Sequence, residues 1–235
     1  MKKLLLVAGM IGAMAVADAA TFGFSNISDN SGQAAQVASQ LSVDVTLRSG
    51  RALFWFSNTG PIASSITGVY FDDGPGGTSS DMLQNSIYAL VDRDEGYNGL
   101  DRNRGVDFTR DSPWSPVSPP NIPGGSTLTP PFQTTGLLAA DSDSPTARYG
   151  INPGEWLGVV INLATGSIDD LFDALESGVV RIALKVQAIG PSGASDSFVS
   201  GLPPRPPQVP DASTTAMLLG VALLGLEGLR RRLAK

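Results

Sequence analysis

Carboxylates are the one plentiful reactive side chain in this sequence. Asp72, Asp73, Asp92, Asp94, Glu95, Asp101, Asp107, Asp141, Asp143 and Glu155 fall in short runs between apolar segments. Two such groups held at the correct separation are enough to hydrolyse a glycosidic bond. With nineteen Asp and Glu over residues 20–208, neighbours of this kind also arise by chance. The residues therefore favour a non-enzymatic role, with a carboxylate-dependent polysaccharide hydrolase as the alternative. The densest oxygen cluster is DRDEGYNGLDRNRG, residues 92–105. A calcium ion takes six to eight oxygens, and the candidate ligands here are Asp92, Asp94 and Asp101, with Asn98 and Asn103 adding neutral oxygens. The stretch departs from the EF-hand pattern, with Gly96 at position five and Asn103 at position twelve. Arg93, Arg102 and Arg104 are expected to neutralise much of its charge, which favours a solvated, salt-bridged loop over a calcium site.

Other chemistry is excluded by composition. The chain has no cysteine and no histidine. Ser-His-Asp and Cys-His nucleophilic sites, thiolate or imidazole zinc sites and every histidine base are absent with them. Residues 20–208 carry ten Lys and Arg against nineteen Asp and Glu, a net −9. Nucleic acid and anionic lipid surfaces are poor partners for such a surface, while divalent cations or neutral polysaccharide are better ones.

The elements that must position these groups read as strands. In QLSVDVTLR (40–48), Leu41, Val43, Val45 and Leu47 alternate with polar residues, the period of a strand with one buried face. Ser49-Gly50 is a two-residue turn signal ahead of ALFWFSN (52–58), which is apolar on both faces. Further strands are expected over 22–25, 66–71, 87–92, 106–109, 156–163, 180–188 and 197–200, with Val180, Ile182, Leu184, Val186 and Ala188 sharing one face. One helix interrupts them. SIDDLFDALESG (167–178) opens on a Ser-x-x-Asp capping pattern, places Ile168, Leu171, Phe172 and Leu175 on one stripe and stops at Gly178. Residues 112–131 hold seven prolines and must form a long surface excursion, with Trp114 folded back to pin it. Glycine (27) and proline (17) are frequent, which suits many turns. The expected fold class is all-β, a β-sandwich or jelly-roll-like body with one short helix, closed by pairing its early and late strands.

Both ends carry their own patterns. Lys2 and Lys3, an apolar run over 4–16 and Ala17-Asp18-Ala19 form the three regions of a secretory signal peptide, with cleavage expected first before Ala20 and Ala15-Val16-Ala17 as the second site. At the other end, residues 213–229 are apolar apart from a polar start and Glu227, and Arg230, Arg231, Arg232 and Lys235 follow at once. Seventeen residues is a minimal transmembrane span, and the basic end is held inside. GLPPRPPQ (201–208) is an extended spacer. The expected organisation is a signal peptide at 1–19, a β-sandwich body at 20–200, the spacer at 201–208, and a tail at 209–235.

That tail, with Val209, Pro210 and Asp211 as a short motif ahead of an apolar helix and a basic run, resembles the PEP-CTERM family of bacterial sorting signals. It is closer to the Val-Pro-Asp (VPDSG) variant, although Ala212 and Ser213 stand where that variant typically has serine and glycine. The resemblance implies recognition by an exosortase-type membrane enzyme. It also implies anchoring in the inner membrane before processing, cleavage near the motif, and release or attachment at the cell surface. The body is similar only to exported bacterial proteins without known activity, so a structural or binding role at the surface or in an exopolysaccharide matrix is expected. N-terminal sequencing of the exported protein should start at Ala20; Met1 retained on exported protein would reject the signal peptide.

Overall fold

The computed structural model describes residues 19–74, 81–113 and 122–200, all of which lie in one compact unit spanning 18–203. Among them are ten strands, numbered in chain order: β1 (Ala19–Asn26), β2 (Leu41–Arg48), β3 (Arg51–Asn58), β4 (Ser65–Asp73), β5 (Leu83–Val91), β6 (Phe108–Arg110), β7 (Ala139–Ser142), β8 (Glu155–Leu163), β9 (Val180–Ile189) and β10 (Ala194–Ser200). All pair antiparallel in the order β5-β8-β3-β2-β1-β10-β9-β4-β7-β6. The sheet is nearly closed. Arg110 on β6 donates to the Tyr88 carbonyl on β5 at 2.6 Å, and Leu137 donates its amide to the Asn85 carbonyl at 2.9 Å, so its two edges approach each other.

The strand β1 belongs to both halves of the sheet. Its first part pairs with β2, from Ala19↔Thr46 to Gly23↔Ser42. Its last part pairs with β10, from Phe24↔Ser200 to Asn26↔Phe198. The early and late ends of the body thus meet. The β2–β3 hairpin turns at Ser49 and Gly50, both at positive φ (52° and 76°), the left-handed pair that matches strand twist in a two-residue loop. The main core fills with residues from both halves. The Phe54 and Phe56 rings on β3 lie 4.9 and 6.1 Å from Phe71 on β4, each edge-on, and Phe198, Leu157 and Ile182 are fully buried around them.

Three α-helices accompany the strands among the described residues, where the sequence predicts one. The predicted one is α3 (Ile168–Ser177). Its Ser167 N-cap makes a reciprocal capping box with Asp170, Gly178 ends it at φ 73°, and Ile168, Leu171, Phe172 and Leu175 are its buried stripe. The other two, α1 (Ala34–Ala38) and α2 (Thr146–Tyr149), are too short for helical periodicity to show. The short β7 was likewise not anticipated. One face assignment is corrected. Ala188 adopts φ 53° where the β9–β10 register shifts between Ala194 and Asp196. Ile189, not Ala188, takes the buried place beyond Val186, because a bulge adds one residue and reverses the alternation.

Every residue of β4 is buried, since the excursion at 122–138 covers its outer side. Ile122 and Phe132 pack there with Tyr70, Ala139 and Ala183. The clamp is an ion pair between directly opposed residues, Asp72 on β4 and Arg181 on β9. Arg181 also donates to the carbonyls of Pro130 and Pro131 at 2.7 Å each, and the Asp72 carboxylate accepts from the Gln133 amide at 3.2 Å. Trp114, expected to pin this excursion, lies outside the described residues.

Removing one partner of such a pair leaves a buried charge uncompensated. Arg181→Ala should therefore destabilise the fold by about 3–5 kcal/mol in urea unfolding. The double replacement Asp72→Leu/Arg181→Met should cost less than either single change.

Candidate functional site

The turn-rich stretch after β5 is organised by the carboxylate that sequence reasoning offered first as a metal ligand. Asp92 is buried. Its Oδ1 accepts the amides of Asp94 and Glu95 at 3.0 Å each, and its Oδ2 accepts the Phe108 amide at 3.2 Å. Burial pushes the Asp92 carboxyl up, and these amide bonds oppose the rise. The chain then reverses at Asn98 and Gly99, both at positive φ (43° and 80°), between Tyr97 and Leu100, which exchange backbone hydrogen bonds. Asn103 holds the return, its side chain donating to the Trp156 carbonyl at 2.6 Å and accepting the Gly105 amide at 3.2 Å. Asn98 thus serves as a turn residue and Asn103 as a backbone brace, while Asp94 and Asp101 are exposed. Among the described residues no three acidic side chains are grouped to hold a metal ion.

The other candidate carboxylates are also engaged. Asp73 accepts the Leu83 amide at 3.0 Å, and Asp141 accepts the Tyr70 hydroxyl at 2.5 Å. Asp143 accepts from Thr109 at 2.9 Å, and Glu155 takes both the Asn152 amide and its side-chain nitrogen at 3.0 Å. Asp107 pairs with Arg93 at 3.4 Å. Burial, and then the charges of Asp143 and Asp94, raise the Asp107 carboxyl. Glu95 pairs with Arg110 at 3.6 Å. These bonds tie loops and neighbouring strands to one another.

The same loop presents a different group of side chains to solvent. Arg93, Asp94, Arg102, Arg104, Arg148 and Tyr149 line a cleft of about 460 Å³. The first four come from residues 93–104. The last two come from α2, which is tied to the loop because the Asp107 amide donates to the Tyr149 carbonyl at 2.9 Å. Gly150 seats α2 against β4, where a Cβ would meet Ser65 Oγ at 2.3 Å and the Ile66 carbonyl oxygen at 2.4 Å. The guanidinium carbons of Arg93 and Arg148 lie 5.3 and 5.4 Å from the centre of the Tyr149 ring, within cation–π range. Of the three loop arginines expected to neutralise the acidic run, only Arg93 has a carboxylate partner among the described residues. The sequence carried Arg148 in the phrase DSDSPTARYG (141–150), but nothing local connects it with a loop some forty residues earlier.

The tail residues Val209, Pro210, Asp211, Arg230, Arg231 and Arg232, the spacer and the expected spanning helix lie outside the described residues, as does Ala17; no described helix is long and apolar enough to cross a membrane. Ala19 and Ala20 open β1. If Asp92 serves the backbone alone, the melting temperature should be equal in chelator and in millimolar calcium. Asp92→Ala should then cost about 1–3 kcal/mol by stranding three amides, and Asp94→Ala or Asp101→Ala should stay within about 0.5 kcal/mol. A calcium-dependent rise that disappears when all three aspartates become asparagine would instead mark a calcium site.

Comparison with known proteins adds evidence at the tail alone. No curated protein and no solved structure matches the chain. One family model does, that of the VPDSG-CTERM motif, over residues 208–233. The C-terminal segment, with Val209-Pro210-Asp211 at its start and the arginines at its end, matches the VPDSG-CTERM motif.

Proposed function

We propose that this is an exported bacterial protein whose tail is read by an exosortase-type enzyme. It is held in the inner membrane by the segment after Asp211 until that enzyme cuts near the motif, and the body then takes a structural or binding role at the cell surface or in an exopolysaccharide matrix. The observation that carries the reading is the motif match at 208–233. Cleavage before Ala20 would leave the pairing of β1 with β2 intact from Ala20↔Val45 onward. We read the two halves of the nearly closed sheet, packed across one core, as a β-sandwich. With no disulfide available, stability outside the cell must come from that core and from buried polar bonds.

The order of events follows from charge and apolar length. The basic end resists translocation, so the apolar run halts there and leaves the motif on the outer side, within reach of a membrane enzyme. Replacing Pro210 and Asp211 together with alanine should leave export intact and stop release from the membrane, read by fractionation and intact mass. Normal release of that variant would overturn the sorting reading. Replacing Arg230, Arg231 and Arg232 should scramble orientation instead, as protease accessibility of the tail would report.

A further inference from the structure

We propose that the cleft between residues 93–104 and α2 binds an anionic sugar unit, one carrying a carboxylate or a sulfate. The first reason is electrostatic. Four of the nine cationic side chains among residues 19–200 line this one cleft, on a body whose net charge is strongly negative. Like charges brought together repel, and no carboxylate is paired with Arg102, Arg104 or Arg148 among the described residues. An oxyanion relieves that repulsion and matches the planar donor fork of guanidinium.

The second reason is the mount. Arg93 is fixed by Asp107 at 3.4 Å and by the Tyr149 ring, and Arg148 lies against the same ring. The loop itself is pinned by the buried Asp92, and α2 by the Tyr149 carbonyl and Gly150. Donors held in place before binding lose less freedom when a ligand arrives.

The third reason decides the class of anion. Asp94 stands in the same lining. A carboxylate is adverse to a bare phosphate or sulfate ion, but it accepts hydrogen bonds from hydroxyl groups. A ligand carrying both an oxyanion and hydroxyls satisfies both kinds of lining residue, and an acidic saccharide is such a ligand. The volume suits it, lying within the ~300–1,000 Å³ range of small-molecule sites. A long nucleic acid would instead have to lie along an acidic body that repels it.

The test uses the full chain in detergent and titrates a short oligogalacturonide, a sulfated chondroitin disaccharide, a neutral dextran oligosaccharide, inorganic sulfate and a short single-stranded DNA. The expected result is saturable binding of the uronide or the sulfated sugar, weakening as salt rises, with dextran and DNA inert. The first two ligands distinguish carboxylate from sulfate. Arg102→Ala/Arg104→Ala should lower affinity at least about tenfold while leaving the melting curve unchanged, since both side chains are exposed. Asp94→Ala should weaken the sugar ligand without weakening inorganic sulfate. Failure of both acidic sugars to bind, equal binding of dextran or DNA, or an unaltered affinity in the double-arginine variant overturns the site. An Asp94→Ala variant that binds every anion more tightly overturns the sugar assignment. The proposal deepens the surface-binding reading without resting on sorting: release without binding would refute the cleft alone, and binding without release would refute the sorting alone.

Discussion

The two halves of the sheet are joined because β1 changes partner between Gly23 and Phe24, leaving β2 for β10. Closing a chain from its beginning to its end is costly in entropy, and here no disulfide shares that cost. The junction is secured instead by Asp196 on β10, which is buried. It accepts from the Ser28 hydroxyl at 3.2 Å, the Asn30 amide at 2.7 Å and the Ser31 amide at 3.2 Å, all in the turn that follows β1. Burial alone would raise this carboxyl. The bonds from Ser31, Asn30 and Ser28 outweigh burial and hold it below the usual range, so its contribution is present at neutral pH and fades as pH falls below the unfolded carboxylate range. This clasp ties the turn after β1 to β10 without a covalent cross-link.

Polar side chains organise the remaining loops in the same way. Gln40 Nε2 lies 2.9 Å from Asn58 Oδ1, from the Ile62 carbonyl oxygen and from Ser64 Oγ, sharing its two hydrogens among them. Asn58 reaches the Ile151 carbonyl at 3.1 Å, so one buried amide network joins β2, β3 and the approach to β4. The Asp72–Arg181 pair performs the matching task under the Pro-rich excursion. Buried groups of this kind cost stability when unpaired and confine the chain to one arrangement when paired. A chain with many turns needs such anchors, because turn residues contribute little apolar area of their own.

Net charge and local charge point in different directions in this molecule. Summed over the body, acidic residues prevail, yet several of them are turned inward to accept amides and hydroxyls. Asp92, Asp73 and Asp196 are buried, and Glu155 serves Asn152. The arginines of 93–104 and Arg148 face solvent together. The field a ligand meets is set by which charges remain outside, and this is how an acidic protein can present a cationic cleft.

The strands were legible because alternation is a local property. Leu41, Val43 and Val45 announce their buried face whatever they pair with, and Ser167, Asp170 and Gly178 mark the ends of α3 by chemistry that acts within one turn. The tail motif was legible for a related reason, since it is a short linear pattern that a match over residues 208–233 can register. The sequence could not determine the order of the strands or the change of partner at Gly23, which depend on pairings between distant segments. Nor could it place the bulge at Ala188, which reversed the facing of the residues after it, or show α1 and α2, which are shorter than the period that would reveal them. Whether Asp92 would face an ion or three backbone amides was likewise a matter of chain path. The cleft depended most on the fold: Arg102, Arg104 and Arg148 are unremarkable in sequence, and they converge only because the Asp107 amide and Gly150 bring α2 against a loop that Asp92 holds from within.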